Sequence, residues 1–267
     1  MKGRVLIVAG SDSGGGAGIQ ADIKAVTALG AFAATAITAL TAQNTLGVHG
    51  VHAVPPDFVR LQMAVVLDDL GADAIKTGML HSSAVIEAVV ATLDAKAKGI
   101  PLVVDPVMVA KGGARLLPVE AIEAVRRHLI PRAAVITPNR PEAEALLGRT
   151  IATDQDAENA AQALLELGCR AVLLKGGHAS GPIVRDLLVS GAGLEIFESP
   201  RIETRHTHGT GCTLASALAA GLAQGLALSA AVRRARAYVI EAIRTAPGLG
   251  AGHGPLNHAH TVRPFPG

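Results

Sequence analysis

The chain has 267 residues, a length that suits a single α/β domain with a large core. A formal net charge of +2 excludes the strongly basic surface that nucleic-acid binding requires, and two cysteines are too few for a disulfide framework. The apolar runs are shorter than a membrane span, so we expect a cytoplasmic protein without membrane or nucleic-acid partners.

Short apolar runs alternate with helical patterns along most of the chain, which predicts βαβ units and a mostly parallel sheet covered by helices on both faces. The predicted strands are RVLIVA, ATAITAL, DAIKTG, PLVVDPV, AAVITPN and RAVLLKGG. The predicted helices include Phe58–Leu70, Ala84–Ala97, Val119–His128, Ala157–Leu167, Thr210–Ala223 and Ser229–Arg244. The segment IVRDLLVSGAGLEIFESP predicts a β-hairpin at one sheet edge. We expect one domain over residues 1–260 and a loose tail over 261–267.

The first strand leads into the glycine-rich segment GSDSGGGAGIQAD, Gly10 to Asp22. It lacks the Lys-Ser or Lys-Thr of a P-loop and the G-x-G-x-x-G of a dinucleotide site. The helix that follows places Ile19, Ile23 and Val26 on one face, and Asp22 lies on that same face. An inward carboxylate needs a partner. The Asp22 carboxylate is either a first-turn acid stabilised by the helix dipole or a side chain that contacts a ligand near the strand ends.

A second glycine turn, THGTGCT, precedes the predicted helix at Thr210. The backbone N–H groups of Gly209, Thr210, Gly211 and Cys212 would point at one spot and form an anion hole for a phosphoryl group. A helix N-terminus lowers a cysteine pKa, so Cys212 could accept a proton. An ordinary helix start with a buried cysteine is the alternative. His206 and His208 have no identifiable third partner for a metal site.

Polar side chains follow several predicted strands, where ligands bind in parallel sheets. Asp105 and Glu142 could hold Mg²⁺ through water, although Glu142 is also an ordinary first-turn acid. Lys175 could bridge phosphates as a point charge. The loop KGGAR, Lys111 to Arg115, is either a cover for phosphates or a solvated loop.

Eight motifs in order from about Arg4 to His258 resemble the hydroxymethylpyrimidine/phosphomethylpyrimidine kinases of thiamin biosynthesis, a branch of the ribokinase-like superfamily. They are AGSDSGGGAGIQAD, TALTAQNTLGV, KTGML, VVDPVMVAKGG, TPNRPEAEALLG, LLKGGH, RHTHGTGCT and GHGPLNH. The resemblance implies a ribokinase-like three-layer sandwich with a small antiparallel edge, and a homodimer. It also implies MgATP-dependent phosphorylation of 4-amino-5-hydroxymethyl-2-methylpyrimidine and then of its monophosphate.

The resemblance also implies roles for individual residues. Pyrimidine contacts are expected from Gly10, Asp22, Gln43, Met79 and Val107. Catalytic roles are expected for Cys212, Lys175, Gly209, Thr210 and Gly211, ATP contacts for Asn139, Lys175, Gly176 and Thr207, and Mg²⁺ contacts through water for Asp105 and Glu142. The wider superfamily carries an aspartate base where this chain has Cys212, and the pyrimidine kinases carry cysteine there. Arg205-His206 departs from the Lys-Asn of many relatives.

Other functions remain open at this stage. A pyridoxal or pyridoxine kinase would also phosphorylate a hydroxymethyl group on a flat nitrogen ring. A non-catalytic pyrimidine-binding regulator on the same fold would be expected to lose the anion hole, Asn139 or Lys175, and all are present. A dehydrogenase is excluded by the missing dinucleotide fingerprint.

Overall fold

A computed structural model describes residues 1–109, 113, 116–178 and 180–263. Its centre is a nine-stranded sheet with the order β3-β2-β1-β4-β5-β6-β7-β8-β9. The strands are β1 Arg4–Asp12, β2 Phe32–Asn44, β3 Gly47–Ala53, β4 Ala74–Thr77, β5 Leu102–Val104, β6 Val135–Ile136, β7 Ala171–Leu174, β8 Ile183–Ser190 and β9 Gly193–Pro200. In this spatial order, neighbouring strands from β2 through β1, β4, β5 and β6 to β7 pair in parallel. The strands at the two edges are antiparallel: β3 pairs with β2, β8 with β7, and β9 with β8.

Helices cover both faces of this sheet and complete a three-layer sandwich. They are α1 Gly18–Ala28, α2 Pro56–Asp69, α3 Ser83–Lys96, α4 Val119–Ala124, α5 Arg140–Leu147, α6 Asp154–Leu165, α7 Thr210–Ala223 and α8 Leu228–Arg244. Buried side chains of α2 to α6 form one core cluster with one sheet face, and those of α1, α7 and α8 form another with the opposite face. The predicted fold class is confirmed.

The composition of β1 shows why the sheet lies in the middle. Val5 and Ile7 belong to the core on the α7 side, while Leu6 and Val8 belong to the core on the opposite side. Successive side chains of a strand point to opposite faces, so a strand buried on both faces must be apolar throughout. The unbroken run at the start of the chain therefore marks a central strand.

Three local predictions need correction. β3 was not predicted, because most of its residues are exposed and GVHGVHA has no apolar run. The segment expected to be helical from Val119 to His128 is α-helical only to Ala124 and continues as a π-helical turn, Val125–Leu129. Ile23, which was expected on the apolar face of the first helix, is 37% exposed. Helix α1 buries small alanines beside Ile19 and Val26 instead. The predicted hairpin is confirmed as β8 and β9.

The order of the strands fixes where a ligand can bind. The chain passes from β1 to β2 on one side and returns to β4 on the other side of β1. Open parallel sheets bind ligands outside the carboxyl ends of the strands at such a reversal. Among the described residues, no helix is long and apolar enough to cross a membrane. The start of the predicted tail is tied to α1, since the Thr261 hydroxyl donates to the Ala28 carbonyl oxygen at 3.0 Å.

Candidate active site

A cavity of about 1030 Å³ lies along the carboxyl ends of the parallel strands and the N-terminus of α7. It brings together most of the residues that the sequence analysis singled out. These are Gly10, Gln43, Met79, Asp105, Val107, Asn139, Glu142, Lys175, Thr207, Gly209, Thr210, Gly211 and Cys212. Asp22 and Gly176 are not part of its lining. Lys111 and Arg115, the ends of the KGGAR loop, lie outside the described residues.

The turn before α7 has the geometry of an anion hole. Gly209 has φ +84°, a conformation that favours glycine, and a side chain there would overlap the Gly16 carbonyl oxygen. The Thr213 amide and hydroxyl both donate to the Gly209 carbonyl oxygen, at 2.9 and 2.8 Å. The first N–H groups of a helix have no partner within the helix and carry its positive dipole. The start of α7 therefore presents donors to the cavity from a rigid turn.

A lysine and two carboxylates lie beside this turn. Lys175 Nζ donates to Asp105 Oδ1 at 3.0 Å and lies 3.8 Å from Glu142 Oε2. A Cβ on Gly211 would lie 3.2 Å from Lys175 Nζ. Burial alone would lower the pKa of Lys175, but the nearby carboxylates outweigh it and raise that pKa. The ammonium thus stays charged next to the anion hole.

Glu142 has two roles in this cluster. With Asn139 it forms the capping box of α5, since Glu142 N donates to Asn139 Oδ1 at 2.9 Å and Asn139 N to Glu142 Oε2 at 2.7 Å. Burial and the neighbouring Asp105 raise the pKa of Glu142 to about 7, against the attraction of Lys175. Two buried carboxylates that share one ammonium fit a divalent cation, because Mg²⁺ prefers oxygen ligands. Within the described residues, no group of three or more metal-ligating side chains occurs.

The expected pKa of Cys212 is wrong in direction. Its enclosure raises the pKa of the thiol to about 12, and the carboxylates of Asp22 and Asp105 add to this, while the ammonium of Lys76 opposes it. A helix N-terminus favours a thiolate, but that effect is smaller than the cost of burying its charge. Cys212 still lines the cavity, together with Gly10 and Met79 and with the turn from Gly209 to Gly211.

The inward carboxylate of Asp22 has a protein partner. Asp22 accepts two hydrogen bonds from Lys76 Nζ, at 2.8 and 2.9 Å, and one from the Ser216 hydroxyl at 2.7 Å. Both members of the ion pair have side chains that are 0% exposed. Because α1 begins at Gly18, Asp22 is not in its first turn, and the expected dipole-favoured acid is wrong. The structure places Asp22 behind Lys76, which does line the cavity.

Gly176 contacts protein rather than the cavity. Its N–H donates to Asp186 Oδ1 at 2.7 Å, and a side chain there would overlap the Arg185 carbonyl oxygen. Asp186 in turn accepts a hydrogen bond from Arg236 at 2.7 Å. Gly176 therefore allows β7 and β8 to approach closely behind Lys175.

The acceptor side is built around Gly10 and Met79. A Cβ on Gly10 would lie 2.6 Å from Met79 Cε, so the glycine lets the end of the Met79 side chain lie against the backbone here. The Met79 carbonyl oxygen accepts a hydrogen bond from Thr38 at 2.6 Å, which fixes the backbone. The Gln43 amide nitrogen lies 3.2 Å from His208 Nε2. We call the part of the cavity lined by Gly10, Gln43 and Met79 the acceptor slot; Cys212 lines the same cavity.

Asp12, Lys76 and His208 are among the residues of the cavity wall to which sequence reasoning gave no binding or catalytic role. His208 Nε2 lies 2.8 Å from Asp12 Oδ2, across 196 positions of the chain. A sequence signal existed for each, since Asp12 is in the glycine-rich loop, Lys76 is near a strand end, and His208 precedes the anion hole. Pairing them required the fold.

The sheet topology, the anion hole and the lysine with its paired carboxylates define the chain as a phosphotransferase of the ribokinase-like class. Residues 12–257 match the family model described as phosphomethylpyrimidine kinase, and the chain belongs to that family.

Individual relatives agree with this assignment. The thiamine biosynthesis bifunctional protein ThiED of Geobacter sulfurreducens is 52% identical over 96% of this chain, which spans about half, 52%, of that longer protein. The hydroxymethylpyrimidine/phosphomethylpyrimidine kinase of Streptomyces coelicolor is 49% identical over 95% of this chain and 93% of its own length. The ADP complex of Bacillus subtilis pyridoxal kinase superimposes with a TM-score of 0.90 at 37% identity, covering 97% of this chain and 98% of that one.

Proposed function

We propose that this chain uses MgATP to phosphorylate 4-amino-5-hydroxymethyl-2-methylpyrimidine and then phosphorylates the monophosphate to the diphosphate, as a step of thiamin biosynthesis. The observation that carries the proposal is the arrangement around Cys212. The cavity that Cys212 lines is lined as well by Gly10 and Met79 and by Lys175 and the turn from Gly209 to Gly211. Family membership supports the same reaction.

In the proposed first transfer, the pyrimidine ring packs against Met79 and Val107 and the Gln43 amide contacts its polar edge. The hydroxymethyl group then lies near Cys212, and its oxygen attacks the γ-phosphorus as the bond to the ADP oxygen breaks. Only the thiolate form of Cys212 can take up the hydroxyl proton; burial disfavours that form and the ammonium of Lys76 favours it. The N–H groups from Gly209 to Cys212 and the ammonium of Lys175 stabilise the charge on the transferred group. Asp105 and Glu142 would hold Mg²⁺ through water, and the ion would neutralise phosphate charge.

The second transfer differs in its acceptor. A phosphate monoester is already anionic near neutral pH, so its oxygen can attack without a base. Positioning and charge stabilisation by Lys175 and the anion hole then provide most of the catalysis. The proposal therefore assigns Cys212 to the first step more than to the second.

A pyridoxal-type kinase is the second candidate. The close superposition on Bacillus subtilis pyridoxal kinase favours it as an additional activity. Pyridoxal and the pyrimidine both offer a flat ring with a hydroxymethyl group, and the slot at Gly10 and Met79 suits either.

ATP consumption separates the candidates. The enzyme is given hydroxymethylpyrimidine, its monophosphate, pyridoxal, pyridoxine or pyridoxamine at matched concentrations. We expect turnover of both pyrimidines, and absence of turnover with both would overturn the proposal. Lys175→Met should lower the rate by about 10²–10³-fold, as loss of a charge-stabilising group does. Lys98→Met, at an exposed lysine, is the matched control and should keep the parent rate.

We also propose that the enzyme works in the cytosol as a homodimer. One face of α2 supports the dimer, because Phe58, Leu61 and Val65 are 55%, 53% and 54% exposed at helical spacing. Light scattering of the purified protein tests this, and a monomer mass would contradict it.

A further inference from the structure

We propose that His208 is a positioning residue for phosphoryl transfer: it joins the acceptor loop, Gly10 to Gly18, to the anion hole. This inference rests on the proposed function for its kinetic part. His208 is buried and directly precedes Gly209. Its ring reaches Asp12, the acidic side chain of the acceptor loop, at 2.8 Å.

Asp12 holds the acceptor loop in shape from the inside. Its carboxylate accepts hydrogen bonds from the backbone N–H groups of Gly14, Gly16 and Ala17, at 2.8, 3.1 and 2.8 Å. The fourth donor is His208 Nε2. A carboxylate accepts hydrogen bonds only, so the Nε2 atom of His208 carries the proton. One buried acid thus connects three amides of the acceptor loop to the residue before the anion hole.

Backbone contacts reinforce this connection. A side chain on Gly16 would overlap the His208 ring, and one on Gly209 would overlap the Gly16 carbonyl oxygen. The His208 N–H donates to the Gly254 carbonyl oxygen at 3.1 Å, so the C-terminal segment also holds the backbone of His208 in place. The two glycine turns therefore pack directly on each other, and the His208–Asp12 bond fixes their relative position.

The position matters because the two turns carry the two reactants. Under the proposed function, the acceptor lies against Gly10 and the donor phosphates lie against the start of α7; residues of both turns line the cavity. A displacement of about 1 Å between reacting groups can cost about 10²-fold in rate. The Gln43 amide nitrogen lies 3.2 Å from the same His208 nitrogen, but both atoms then carry hydrogens, so this contact is not a hydrogen bond.

The test compares two substitutions at this position. His208→Gln retains an N–H donor near the place of Nε2, and His208→Met has similar bulk without the donor. We expect His208→Met to lower the single-turnover rate of both transfers by about 10–100-fold while the KM for ATP changes less than about 3-fold. His208→Gln should recover most of that loss. His128→Met, at an exposed histidine, should keep the parent rate.

A second measurement needs no substrate. Hydrogen exchange of the peptide that contains Gly14, Gly16 and Ala17 should be about 10-fold faster in His208→Met than in the parent, and nearly normal in His208→Gln. Equal exchange in all three proteins would overturn the inference, as would parent kinetics in His208→Met. Turnover of neither pyrimidine by the parent would refute the proposed function alone, because the exchange experiment still tests the connection.

Discussion

The buried ion pair between Asp22 and Lys76 gives a prediction about stability. Asp22→Asn removes the negative charge with almost no change in shape, and it leaves an ammonium that is 0% exposed without its counter-ion. Burial opposes the charged form of that lysine, and it is mainly the attraction of Asp22 that raises the pKa of Lys76. Breaking such a pair costs about 3–5 kcal/mol. At about 2–4 °C for each kcal/mol, the melting temperature should fall by roughly 6–20 °C.

Urea unfolding of four proteins measures this effect: the parent, Asp22→Asn, Lys76→Met and the double variant. Lys76→Met should also be destabilising, because it leaves a buried carboxylate without its partner. The double variant should lose much less than the sum of the two, because it contains no unpaired buried charge. The control is the exposed pair of Lys96 and Asp68, 37% and 61% exposed, where Asp68→Asn should cost less than about 1 kcal/mol.

Two results would refute this reasoning. One is a loss below about 1 kcal/mol for Asp22→Asn, comparable with the exposed control. The other is additivity, in which the double variant loses the sum of the single losses. Either would mean that water or a rearrangement compensates the Lys76 charge.

Three further predictions concern Cys212 and Gly209, which line the cavity, and His258, which is buried beside Thr213. Cys212→Ala should slow the first transfer more than the second in single-turnover assays, and equal losses would contradict a proton-accepting role. The pKa of buried His258 is lowered from 6.5 to about 4, so the unfolded chain binds its proton first as the pH falls. The unfolding free energy of the parent should therefore fall by roughly 3 kcal/mol between pH 6.5 and pH 4. Denaturation of His258→Gln at the same two pH values should not show this loss. Gly209→Ala should abolish ADP binding by calorimetry. Gly225→Ala, with a similar φ of +82° but open space around it, should only lower stability by about 1–2 kcal/mol.

The sequence was sufficient to predict the fold class and the edge of the sheet along which the cavity lies. Apolar runs such as RVLIVA and PLVVDPV marked the central strands, and polar residues after them marked the carboxyl edge. The cavity does bring Asp105, Asn139 and Lys175 together there. Strand β3 was not predicted, because a strand exposed at the edge of a sheet needs no apolar pattern.

Predictions about individual side chains failed where a distant partner decides the outcome. The partner of Asp22 is Lys76, 54 positions away on a different strand, and no local pattern could select it. The pKa of Cys212 depends on its burial and on the carboxylates of Asp22 and Asp105. From the sequence, only its position at the N-terminus of a helix could be recognised. A local motif therefore predicts which backbone groups face a ligand, but not the electrostatic potential at that place.

The charges behind the acceptor side explain how the same residues can serve structure and chemistry. The attraction of the carboxylates, Asp22 first and Asp105 after it, outweighs burial and keeps Lys76 protonated. That ammonium also favours a thiolate at Cys212, against the effect of the two carboxylates. Loss of the Asp22 charge would thus destabilise the fold and at the same time favour the ionised thiol. Alkylation of Cys212 in folded Asp22→Asn should accordingly be faster than in the parent at the same pH, and a slower reaction would contradict this account.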